Sequence, residues 1–152
     1  MSLPLLLTLA GLALPGAGPA CGAPVVHLRG TPPQAPRQNR PHGIPWITTA
    51  NPRISAYPFY WHPPGYRGHT RLALAAHGSD GSANMKLLWG LRGGGDTLVI
   101  SGRGPGGRHF SRIAIDAGGG WYPSTVVVPS AGCWTLALRS GDVRGTLRVL
   151  AL

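Results

Sequence analysis

The sequence predicts an all-β protein: one antiparallel β-sandwich of about seven or eight strands, carried behind an N-terminal segment of different composition. Three observations lead there. From Trp46 onward the apolar runs are short, about four to eight residues, and recur every 10 to 15 residues or so with Gly, Pro and Asp between them. No stretch carries an apolar stripe of helical period. The residues that usually fill exposed helix positions are missing, since the 152-residue chain has no Glu and a single Lys, Lys86, but 24 Gly and 16 Pro.

Composition divides the chain into three parts: 1–20, 21–45 and 46–152. Leu3 to Leu14 is an apolar run that ends in Pro15-Gly16-Ala17-Gly18. It is shorter than the roughly 20 residues a bilayer span needs and has the form of a secretory signal's apolar region, with small residues before Cys21. No Lys or Arg follows Met1, so the usual positive start rests on the α-amino group. A buried core segment is the alternative reading. Cys21 would follow the cleavage point, where a bacterial lipoprotein carries its acylated cysteine, and it is the candidate lipid anchor. Gly18-Pro19-Ala20 matches the usual acylation box poorly. The other cysteine, Cys133, leaves a second reading open, a Cys21–Cys133 disulfide formed in an oxidising compartment. In a third, neither applies and Cys133 is a small buried hydrophobe.

Residues 21–45 hold Pro24, Pro32, Pro33, Pro36, Pro41 and Pro45, which remove backbone donors and oppose helix. A semi-extended tether is expected. Its arginines, Arg29, Arg37 and Arg40, would lie near anionic head groups if Cys21 were anchored, or in solvent on a plain spacer.

Eight segments of the domain read as strands: Ile54 to Trp61, Arg71 to His77, Met85 to Leu91, Thr97 to Ser101, His109 to Ile115, Thr125 to Val128, Cys133 to Leu138, and Gly145 to Leu152. Pro58 makes the first an edge or bulged strand. Gly93-Gly94-Gly95-Asp96 marks one turn, and Ser140-Gly141-Asp142 a tight hairpin. Trp89 and Trp134 are the expected core anchors.

The stretch from Tyr122 to Gly141 contains Pro123-Ser124-x-Val126-x-Val128-Pro129 followed by Gly132-Cys133-Trp134. It resembles the C-terminal part of a group of uncharacterised bacterial exported lipoproteins. Pro45-Trp46-Ile47 and Lys86-Leu87-Leu88-Trp89 extend the similarity across most of residues 45–152. The resemblance implies an envelope location and an immunoglobulin-like sandwich, and it implies no activity. A Gly-led turn followed by an aromatic also suits entry into a late strand of such a sandwich.

Chemistry-bearing residues are sparse. His27, His42, His62, His69, His77 and His109 lack metal-ligand spacing, so no metal or cofactor is expected. No Gly-x-Ser-x-Gly elbow positions a nucleophile. The four carboxylates, Asp80, Asp96, Asp116 and Asp142, leave little for paired-acid hydrolysis. Gly102-Arg103-Gly104-Pro105-Gly106-Gly107 lacks the Lys-Ser/Thr of a phosphate loop and reads as a hairpin. The aromatic run near Pro58 offers a candidate ligand patch of Tyr57, Tyr60, Trp61, Tyr66 and Arg67, against the plainer reading that Tyr57, Phe59 and Trp61 share a core face. A formal charge of +10 draws the protein to anionic surfaces. Arg103, Arg108 and Arg112 are a candidate basic end for an anionic envelope polymer. Nucleic acid is not an expected partner without a recognition fold. The function expected is that of a non-catalytic cell-envelope protein, exported and either membrane-anchored or secreted, that binds or scaffolds. The alternative is a small exported hydrolase or metal-handling protein built on the histidines.

Overall fold

The computed structural model describes residues 21, 26–27, 32, 45–58, 73–76 and 83–151. They form ten strands: β1 (Val26–His27), β2 (Trp46–Thr48), β3 (Ile54–Pro58), β4 (Ala73–Ala76), β5 (Ala83–Leu91), β6 (Thr97–Arg103), β7 (His109–Ile115), β8 (Trp121–Val128), β9 (Gly132–Ser140) and β10 (Val143–Ala151). The protein is all-β, a β-sandwich of two packed sheets. Among the described residues the one helical turn is a 3-10 turn at Pro105–Gly107.

The first sheet runs β1-β2-β3-β5-β8, and the second runs β10-β9-β6-β7. Their pairs are antiparallel. Strand β4 joins the two sheets. Its last residues pair antiparallel with the start of β5 (Ala75↔Asn84), and its first pair parallel with the end of β10 (Ala73↔Leu150).

Alternation decides which side chains meet between the sheets. In β8, Tyr122, Ser124, Val126 and Val128 are buried while Pro123, Thr125 and Val127 are exposed. In β9, Trp134, Leu136 and Leu138 point inward, opposed by Leu147 and Val149 of β10. Trp89 and Trp134 are fully buried. The Trp89 indole donates to Ser124 Oγ at 2.9 Å, and that of Trp134 donates to the Ser130 carbonyl at 2.9 Å. Each ring is thus buried without leaving its N–H unpaired.

Strand β3 is buried along its whole length, so both of its faces are covered. Its outward side belongs to a second, smaller cluster of Trp46, Tyr57 and Trp121, with Leu88 packed on it. Gly90 makes that cluster feasible. A Cβ there would meet the Trp121 ring at 3.0 Å and Ser55 Oγ at 3.2 Å.

The turn between β7 and β8 is organised by one carboxylate. Asp116 Oδ1 accepts from the amides of Gly118, Gly120 and Trp121 at 3.0–3.1 Å. Gly118, Gly119 and Gly120 all have positive φ, a region glycine enters without steric cost.

Candidate functional site

A disulfide joins the two cysteines of the chain. Cys21 is bonded to Cys133, with Cα atoms 5.4 Å apart and 112 residues between them in sequence. The lipid-anchor reading of Cys21 is corrected here: a sulfur shared with Cys133 cannot carry a thioether. Cys133 points outward from β9, because Trp134 next to it points in. Cys21 itself is buried, at 5% exposure. Five residues further on, Val26 and His27 pair with Ile47 and Trp46 in the other sheet. His27 stacks on Trp46 with ring centroids 3.9 Å apart and planes 13° from parallel. At these positions the segment expected to be a tether is docked on the domain, held covalently to the second sheet and by hydrogen bonds to the first. Pro32 is buried as well.

The aromatic patch expected near Pro58 is tested at one position. Tyr57 is fully buried in the outer cluster, its ring 5.7 Å from that of Trp121, so it offers no ligand contact. Tyr60, Trp61, Tyr66 and Arg67 lie outside the described residues, as do His42, His62, His69 and His77. Among the described residues, no three His, Cys, Asp or Glu side chains converge as metal ligands would.

The basic end expected from Arg103, Arg108 and Arg112 does not assemble. Arg108 donates to the Pro129 carbonyl at 3.2 Å. Strand alternation puts Arg112 on the side of Phe110 and Ala114, whereas Arg103 points outward from β6. A different basic group forms instead, and strand register builds it. Across the outer face of the second sheet, Arg144 of β10 stands opposite Arg139 of β9, which neighbours Val99 of β6 and then Ile113 of β7. The next outward row is Thr146, Ala137, Ser101 and Ser111. The third row is Arg148, Thr135, Arg103 and His109. Successive rows are about 7 Å apart, so the two arginine rows stand about 13–14 Å apart across a strip of small, mostly hydroxylated residues.

This face is concave. One groove of ≈ 580 Å³ is lined by Val99, Ser101, Ala137, Arg139, Arg144 and Thr146, and walled by Ala50 and Asn51 of the β2–β3 turn. A second, of ≈ 480 Å³, is lined by Ser101, Arg103, His109 and Ser111, with Gly107 at its end. Ser101 lines both, so the two grooves adjoin on β6 as one trough. Its wall is fixed by side-chain hydrogen bonds. Asn51 Nδ2 donates to the Arg144 carbonyl at 2.6 Å, and Asn51 Oδ1 accepts from the Arg53 amide at 2.8 Å. Asp142, in the turn between β9 and β10, is engaged by Arg53 at 3.3 Å. Among the described residues no carboxylate pairs with Arg103, Arg139, Arg144 or Arg148.

Like charges set directly opposite across an antiparallel pair are unfavourable. The Arg139–Arg144 pair is such a juxtaposition, eased in part because Arg144 Nη1 donates to the Gly141 carbonyl at 2.9 Å, and a bound anion would ease it further. Chemically the trough provides Arg139 and Arg144 at one end, Arg103 and His109 at the other, and hydroxyls along its floor. Comparison of the chain with known families, curated proteins and solved structures finds no match.

Proposed function

We propose that this chain is an exported, non-catalytic β-sandwich that binds or scaffolds at the cell envelope. The observation that carries the reading is the Cys21–Cys133 disulfide, which ties the segment behind the N-terminal apolar run to a late strand. Such bonds persist in oxidising compartments and are rare in the cytosol. The apolar run from Leu3 to Leu14, with its small-residue exit, agrees with export. The resemblance to exported bacterial proteins in the Pro-Ser-x-Val-x-Val-Pro and Gly-Cys-Trp motifs points the same way.

The pairing order supports an immunoglobulin-like version of the sandwich. β5 with β8 and β10-β9-β6-β7 follow the order of a B–E pair and a G-F-C-C′ sheet, and a leading strand is shared between the sheets. The disulfide departs from that pattern, since it leaves the F-equivalent β9 for a residue ahead of the domain rather than for the facing sheet.

Fractionation of cells expressing the full chain, with thiol alkylation and mass spectrometry of the product, tests the reading. Mature protein outside the cytosol, with both cysteines resistant to alkylation until reduced, is expected. Full-length protein in the cytosol with two alkylated thiols would overturn it.

A further inference from the structure

We infer that the trough on the outer face of β10-β9-β6-β7 binds a linear anionic polysaccharide, with Arg139 and Arg144 gripping one acidic group and Arg103 and Arg148 another along the same chain. The inference rests on the binding role proposed above and gives it a ligand class. Three features carry it. The arginines come in two groups separated by four residues of strand, which fits a ligand bearing repeated charges better than a single small anion. Each guanidinium can donate two parallel hydrogen bonds to a carboxylate or sulfate. An anion beside Arg139 and Arg144 would relieve that like-charge pair, in which Arg144 already donates one bond to the Gly141 carbonyl at 2.9 Å.

The floor selects a glycan among polyanions. Between the arginine rows lie Ser101, Ser111 and Thr146, with Thr135 between Arg103 and Arg148 in the third row, and these hydroxyls can both donate and accept and so match the hydroxyls of a sugar. Single-stranded nucleic acid is bound by stacking bases on aromatic rings. Among the described residues the outward positions of this face carry no Phe, Tyr or Trp: Phe110 borders the second groove, but its ring packs on Trp134 against the core. A duplex is read by an element that enters a groove, and a concave sheet face enters none.

The test uses purified full-chain protein and three immobilised or titrated polymers: polygalacturonate for carboxylate, dextran sulfate for sulfate, and uncharged dextran. Binding of one or both charged polymers is expected, weakening as salt rises, with no binding of dextran. The double variants R139Q/R144Q and R103Q/R148Q should each weaken binding at least tenfold. R112Q, off the face, should change it less than twofold. Circular dichroism and urea midpoints of each variant separate lost binding from lost fold. Equal weakening by R112Q would show that net charge alone is at work and overturn the assignment, as would tighter binding of single-stranded DNA than of either charged polysaccharide. Cell fractionation is read independently. Cytosolic protein that still binds polygalacturonate refutes the envelope role and keeps the site, and exported protein that binds neither charged polymer does the reverse.

Discussion

The indole of Trp89 shows what a single residue commits the fold to. Its ring is fully buried, and its one polar atom finds Ser124 Oγ at 2.9 Å across the β5–β8 pair. Trp89→Phe keeps most of the apolar area but removes the donor and leaves a small void. A loss of about 1–3 kcal/mol is expected from urea unfolding, with native circular dichroism retained. A change within a few tenths of a kcal/mol would mean that the Ser124 contact contributes nothing. Arg139 makes the opposite case, a residue whose present identity opposes stability. Its direct cross-strand neighbour is Arg144, and both are exposed. Arg139→Glu turns repulsion into an exposed ion pair, expected to raise stability by about 0.5–1 kcal/mol in low salt. The gain should fade near 1 M NaCl, where charges are screened within about 3 Å. The same substitution should weaken polysaccharide binding at least as much as R139Q. Lower stability in low salt would show that the pair is not under electrostatic strain.

At the scale of elements, the disulfide does more than close a long loop. Residue 21 is bonded to β9 of the second sheet, and Val26–His27 pair in the first, so this part of the chain is tied to both sheets. Constraining a loop of roughly 100 residues is worth up to about 5 kcal/mol in the chain-entropy model, with 2–4 typical. Cys133→Ser, or reduction of the native protein, should cost about 2–5 kcal/mol by urea unfolding and release the β1–β2 pairing early, seen as fast amide exchange at Ile47. An unchanged urea midpoint on full reduction would dismiss the clamp. Much of this architecture was legible in the sequence, because alternation over seven to nine residues is a strong signal. His109–Ile115 was placed to the residue, and the late strands to within two. β8 begins four residues earlier than Thr125 because Pro123 sits in a strand paired on one side only, by β5, among the described residues, where a missing N–H breaks no ladder. β1 and β2 were not legible. Two or three residues beside prolines show no period, and their pairing depends on the long-range contact of His27 with Trp46. The trough was missed for a related reason. Arg103, Arg139, Arg144 and Arg148 come together through the register of three strands, whereas the grouping read from the sequence, Arg103 with Arg108 and Arg112, relied on nearness along the chain.

For the whole molecule, the governing quantity is charge. Fourteen Lys and Arg side chains share four carboxylates, so at least ten cations have no acid to themselves. The ion pair Arg53–Asp142 is exposed on both sides and is worth little. Self-repulsion therefore outweighs attraction, and screening should favour the compact state rather than weaken it. Raising NaCl from about 10 mM to 0.3 M shortens the screening length from about 30 Å to about 6 Å. The thermal midpoint of the oxidised protein should rise with it by about 3–6 °C, since a gain near 1 kcal/mol moves a domain of this size by that much. Chloride is the right anion for the measurement, because sulfate also stabilises by exclusion from the surface. Urea is the right denaturant for the parallel measurement, because guanidinium chloride is itself a screening salt. Polygalacturonate at micromolar concentration should produce the same rise in 10 mM NaCl by binding the folded state, and the increment should shrink as salt is added. A midpoint that falls with NaCl would mean that attractive pairs dominate, and the arginine trough would then have no unmet charge to offer a ligand.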